Sequence, residues 1–221
     1  MSAAEPIATP FLVLRRTPYG ETSLVVAGIT PAAGQLHGLV RGGRRLGPRQ
    51  FPVVDLFRLI QVAYRPGRSG LHRIVQMDLL EDFGAVARHP ASYRAAGWLA
   101  DFALRNTQPE IEHPAFFQAM CLGLHRLAEA HCHAGRLPAV VADAVITGVC
   151  LTYLDEGGWA VGPSASAAPL PRLPELLDMA AGRGQAPHLS VAAWRTLRRE
   201  VEEMLVRAEC QLPEPPRIPG T

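Results

Sequence analysis

The sequence predicts an α+β protein, a small five-stranded closed barrel followed by an all-α helical domain. Three observations carry this. Up to about residue 80, five short apolar or alternating runs are split by glycine- and proline-rich turns, the pattern of strands. After Asp82 the apolar spacing changes to the helical period. The charge divides at the same place. Through Leu80, ten arginines face four carboxylates, a net +6, whereas the remainder holds twelve against sixteen, a net −4. The expected organisation is a barrel domain over 1–82, a helical domain over 83–212 and a loose tail over 213–221.

The strands follow in order. Pro10–Arg16 (PFLVLRR) and Thr22–Thr30 (TSLVVAGIT) are apolar runs. Gly34–Arg41 alternates, with Leu36, Gly38 and Val40 on one side and His37, Leu39 and Arg41 on the other. Pro52–Tyr64 also alternates, with Val54, Leu56, Arg58, Ile60 and Val62 on one face. Leu71–Leu79 is the fifth. Turn-formers at Pro18–Gly20, Pro31–Gly34, Gly42–Pro48 and Pro66–Gly70 separate them. Arg58 on an otherwise apolar face requires either that its strand reach the barrel rim or that its charge be paired.

Four helices are expected. Ala91–Arg105 carries Ala95, Trp98, Leu99, Phe102 and Ala103 at helical spacing. Pro114–His131 repeats the signal, with Pro114 suited to a first turn. Pro138–Glu156 stops before Gly157 and Gly158. Leu189–Cys210 has Ser190 as its N-cap. Gly162–Pro174 is low in complexity and proline-rich, and reads as a loop or linker.

Composition excludes several classes. With 48% apolar and 19% charged residues, the chain has the balance of a globular protein. No run of eighteen apolar residues occurs, so no membrane span is expected, and no signal peptide is visible. Four scattered cysteines (Cys121, Cys132, Cys150 and Cys210) suit a reducing cytoplasm rather than a disulfide scaffold. All 22 basic residues are arginine, so every cationic contact is a planar guanidinium able to fork onto phosphate or stack on a base. Cys121, His125, His131, Cys132 and His133 gather as if for zinc. No ligand pattern supports a metal, however, and Cys121 lies on an apolar stripe. Ser23, Ser69 and Ser92 lack a nucleophile's context, no nucleotide loop is present, and neither a cofactor nor catalysis is expected.

The sharpest feature is Arg41–Arg49 (RGGRRLGPR), with Arg41, Arg44, Arg45 and Arg49 between two strands and no acid among them. Such a loop can follow a phosphate backbone, although a solvated basic surface loop has the same composition. Arg15, Arg16, Arg65, Arg68 and Arg73 add to the same half, with Tyr19, Phe51 and Tyr64 as candidate stacking platforms or core residues.

The chain resembles the bacterial recombination mediator family RecO. The resemblance rests on Val13–Val26 (VLRRTPYGETSLVV), Gly34–Arg45 (GQLHGLVRGGRR), Leu71–Leu80, and the helix end Leu154–Trp159 (LDEGGW). It implies that the barrel is an oligonucleotide-binding (OB) fold and that the protein is not an enzyme. It further implies binding of single- and double-stranded DNA, strand annealing, and loading of recombinase with RecR. That loading acts on strands coated by single-strand-binding protein, whose acidic C-terminal tail the helical part contacts. The nine arginines from Arg15 to Arg73 named above are the expected DNA-binding residues, and the expected place of work is the cytoplasm, at the nucleoid. Many members carry a cysteine-bearing zinc segment after the helix end. Here Ala160–Ala168 contains no cysteine. The alternative is an interaction adaptor whose basic barrel docks acidic protein partners without touching DNA.

Overall fold

The computed structural model describes residues 5–43, 53–67, 69–130, 138–159 and 172–214. Five strands, β1 (Ile7–Tyr19), β2 (Ser23–Thr30), β3 (Gly34–Val40), β4 (Arg58–Arg65) and β5 (Leu71–Asp82), close into a barrel in the order β1-β2-β3-β5-β4. All neighbours are antiparallel except β3 and β5, which run parallel from His37–Leu71 to Leu39–Arg73. One circuit of the register passes from Thr17 to Val25, Leu39, Arg73 and Arg65. It arrives beside the Tyr64–Ile7 pair, about ten residues back along β1, which is the stagger that tilted strands need to close a barrel. This is the OB-fold barrel that the sequence resemblance implied.

β1 makes closure possible by serving two neighbours. Its first half pairs with β4 and its second half with β2, and a register shift between Val13 and Arg15 marks the change. Opposite this point Gly28 lets the strands approach, since a Cβ there would run into the Leu12 carbonyl oxygen. Alternation along β1 then builds two cores at once. Phe11 and Val13 point into the barrel with Leu24, Val26, Leu36, Ile60, Val62 and Ile74. Leu12 and Leu14 point outward and join Ile29, Phe57, Phe83 and Val86 in the core of the helical part. The barrel therefore rests on the helices through shared packing; a single ribbon feeds both.

Arg58 faces the barrel side of β4 and is only 8% exposed. Its charge is paired: Nη2 donates to Asp82 Oδ2 at 2.8 Å and Nε donates to the same oxygen at 3.1 Å. Asp82 in turn accepts from the Gly84 backbone N–H. Burial alone would raise the Asp82 pKa, but Arg58 and the Gly84 N–H outweigh it and hold the carboxyl below its ordinary range.

Behind the barrel come a 3-10 turn (Gly84–Arg88) and five helices: α1 (Pro90–Asn106), α2 (Pro114–Glu129), α3 (Pro138–Glu156), α4 (Leu173–Ala180) and α5 (Val191–Arg207). α3 contacts each of the other four helices, and its residues from Ala144 through Thr152 are all buried. By length and mean hydropathy alone α3 could cross a membrane, although polar residues such as Asp143 and Thr147 interrupt its apolar run. Its all-round burial makes it the central core helix instead. Prolines begin α1, α2 and α3 as expected of a first turn. Ser190 caps α5 by accepting from Ala193 N–H at 3.2 Å. The N-terminus of α2 is capped from a distance, with the Glu156 carboxylate accepting from Ala115 and Phe116 N–H at 2.8 and 2.9 Å.

α4 corrects the sequence reading, which placed its first residues in a loop extending to Pro174. Proline suits the first turn of a helix, and Leu176, Met179 and Ala180 bury one face against α3. Strand β4 also starts later than expected. Phe57 adopts a left-handed conformation (φ 59°), and its N–H bonds to the Val13 carbonyl. The chain therefore bends before the ladder begins.

Candidate nucleic-acid interface

Of the nine arginines singled out by sequence, the structure describes Arg15, Arg16, Arg41, Arg65 and Arg73. Arg44, Arg45, Arg49 and Arg68 lie outside the described residues, as does Phe51. The five fall into two sets.

The first set lies at one mouth of the barrel. Arg65 ends β4 and stands directly across from Arg73 near the start of β5. Arg73 also pairs with Leu39 on β3, and Arg41 follows two residues later, just past the strand end. All three are exposed, and among the described residues none has a carboxylate partner. Like charges directly opposite one another on adjacent strands repel. The mouth therefore carries an electrostatic cost that a bound polyanion would relieve. Tyr19 lies at this same end, because Tyr19–Ser23 and Leu24–Val40 are successive register pairs. Tyr19 is 57% exposed, so a base can stack on it.

The second set is already engaged. Arg15 reaches across to α1 and meets Asp101 at 3.4 Å, while Arg16 meets Asp55 at 3.3 Å. These are exposed pairs, individually weak and screened by salt. A phosphate can exchange with either carboxylate, but neither arginine is an idle charge.

Other sequence candidates resolve differently. Tyr64 is buried in the barrel, edge-on to His72 at 5.0 Å, and offers no open face. Burial, helped by repulsion from His37, lowers the His72 pKa, so this imidazole is neutral at neutral pH. His125 lies between two carboxylates, with Nδ1 2.9 Å from Glu81 and Nε2 3.4 Å from Glu129. Burial next to Glu81 pushes the Cys121 thiol up to about 12, which keeps it protonated. His131, Cys132 and His133 fall outside the described residues. Among the described residues no group of three or more His, Cys, Asp or Glu side chains is arranged to hold a metal ion.

Sequence reasoning missed a second surface. Between α1, α3 and α5 runs a groove of about 870 Å³, with Tyr93, Arg94 and Trp98 on one wall and Arg195 and Arg199 on the other. Its signal was present as Arg94 and Trp98 one turn apart, but Trp98 reads first as a core residue.

Residues 1–83, which include the whole barrel, match the family model described as Recombination protein O N terminal. The DNA repair protein RecO of Halalkalibacterium halodurans is 23% identical over 118 residues. That aligned segment is 53% of this chain and 46% of the relative, so the likeness spans less than half the relative's length.

Proposed function

From the premise that the barrel is a recombination protein O N-terminal domain, we propose that this chain is a DNA-binding mediator of recombinational repair. The observation that carries the reading is the barrel mouth, where Arg41, Arg65 and Arg73 stand exposed without partners among the described residues and Tyr19 is exposed at the same end. An OB barrel with a cationic mouth and an exposed aromatic ring suits a single strand. Phosphates lie on guanidinium groups and bases stack on the ring.

The task needs no covalent chemistry. Two complementary strands repel through their phosphates, and a surface of guanidinium groups screens that repulsion while the bases find their register. Arg15 and Arg16 extend the cationic surface once phosphate displaces Asp101 and Asp55. Arg44, Arg45, Arg49 and Arg68 add to it by sequence. Both single and double strands are ligands, because the contacts are to the backbone. In this reading the protein works in the cytoplasm at the nucleoid and loads recombinase with RecR. It acts on strands coated by single-strand-binding protein, whose acidic tail docks on the helical part.

The test is annealing of two complementary fluorescent oligonucleotides, naked and coated with single-strand-binding protein. The protein should accelerate pairing of both, and the effect should fade steeply as salt rises. Rates indifferent to the protein, or binding of acidic peptides alone, would instead support the adaptor reading.

A further inference from the structure

We infer that the groove between α1, α3 and α5 is a second binding site for a single nucleic-acid strand, formed by Arg94, Arg195 and Arg199 with the ring of Tyr93. The inference rests on the reading of the barrel as a DNA-binding domain and extends the strand's path onto the helical part.

Charge is the first ground. Among the described residues four carboxylates line the groove, Asp101, Asp143, Glu202 and Glu214, and the first three pair with arginine. Asp101 accepts from Arg15 and Arg105, at 3.4 and 2.7 Å. Arg198 donates to Asp143 at 2.9 Å and to Glu202 at 3.0 Å. Arg94, Arg195 and Arg199 line the same groove with no partner among the described residues. The guanidinium groups left over therefore face an open channel, in a half of the protein whose total charge is negative. Arg195 and Arg199 are one helical turn apart, with Cβ atoms about 6 Å apart. That is on the scale of the step between successive phosphates in an extended strand.

Shape is the second ground. The walls, α1 and α5, both pack on α3, which forms the floor of a channel open along its length. Tyr93 is 50% exposed, and Phe57, just before β4, lies edge-on to its ring at 6.3 Å, which positions it as a stacking platform. Trp98 is less available, since Arg198 lies over its ring at 5.6 Å and Phe102 stacks against it. Continuity is the third ground. Asp101 on the groove wall is the residue that Arg15 of β1 reaches, so the barrel's basic flank leads directly into the channel.

Gly97 provides a test that leaves charge untouched. It lines the groove, and a Cβ placed there meets no atom within 4 Å. Gly97→Leu therefore plugs the channel while improving helix propensity. The experiment compares four full-length proteins, checked for equal thermal stability: the wild type, Gly97→Leu, Arg94→Ala/Arg195→Ala/Arg199→Ala, and Arg41→Ala/Arg65→Ala/Arg73→Ala. Each is titrated against fluorescent oligothymidine over a range of salt. Both groove variants should bind several-fold more weakly, and the groove arginine triple should flatten the log–log salt slope by about two. If both groove variants bind like the wild type while the barrel triple is weakened, the groove inference is overturned and the barrel reading stands. If all three variants bind like the wild type, both fall. If an acidic peptide binds the wild type but not the groove variants, and oligothymidine binding is unchanged, the groove is a protein-docking site and the inference is likewise overturned.

Discussion

Arg65 and Arg73 in the barrel and Arg198 in the helical part are the same side chain in opposite circumstances. Arg198 is held by Asp143 and Glu202 and covers the Trp98 ring, tying α5 to α3 and α1. Arg105, Arg172, Arg183 and Arg207 likewise pair with carboxylates. At the barrel mouth, by contrast, two arginines face each other across a strand pair and a third stands just beyond the neighbouring strand. Among the paired guanidinium groups, Arg198 and Arg58 join separate elements, whereas Arg105, Arg172, Arg183 and Arg207 each brace a single helix or its end. Those without partners among the described residues, placed where they repel one another, cost stability, and the proposed ligand would offset that cost. Position within the fold, rather than composition, separates the two roles.

Five expected outcomes put this contrast to the test. Arg58 is the barrel's structural arginine, and Arg58→Ala should cost about 3 kcal/mol in urea unfolding, because it empties a buried site and strips Asp82 of its partner. Arg198→Ala should cost about 2 kcal/mol in the same measurement, the partly exposed setting making it milder. Replacing Arg41, Arg44, Arg45 and Arg49 together by alanine should lower oligonucleotide affinity well over tenfold, or more than about 1.4 kcal/mol, at moderate salt with stability unchanged. Unchanged affinity in that folded variant would break the contrast.

The fourth outcome concerns acid. The Asp82 pKa is lowered in the folded state, so the carboxylate contributes stability above the ordinary carboxylate range. That contribution is lost as pH falls through the folded value. Asp82→Asn should therefore flatten the acid side of the stability–pH curve, and an unaltered curve would remove Asp82 from the account. The fifth and smallest is Arg65→Thr. Relief of repulsion with Arg73 should raise stability by a few tenths of a kcal/mol while weakening DNA binding about twofold. Both changes having the same sign would deny that Arg65 serves a ligand.

Much of this architecture was legible because the periods were clean. Leu36, Gly38 and Val40 alternate inward as read, and Arg58, Ile60 and Val62 keep the expected phase. Ser190 and Gly157–Gly158 mark helix ends by local chemistry alone. What escaped depended on tertiary contact. α4 hid behind prolines, and its helical face is defined only against α3. Phe57 interrupts an alternating run because its ring belongs to the helical core. The candidate site was half legible: composition pointed to the barrel's arginines, but nothing in the spacing shows that Arg15 reaches Asp101, eighty-six residues away, or that Arg65 faces Arg73. The α1–α5 groove was invisible for the same reason, since its walls meet only in the fold.

The most direct test of the central claim is the salt dependence of single-strand binding by the wild type and by Arg41→Ala/Arg65→Ala/Arg73→Ala, measured by fluorescence anisotropy with thermal melts alongside. Three lost phosphate contacts should reduce the log–log slope by about two and the affinity by more than tenfold, with melting unchanged or slightly raised. Superimposable titrations at every salt concentration would contradict the claim that these arginines face nucleic acid.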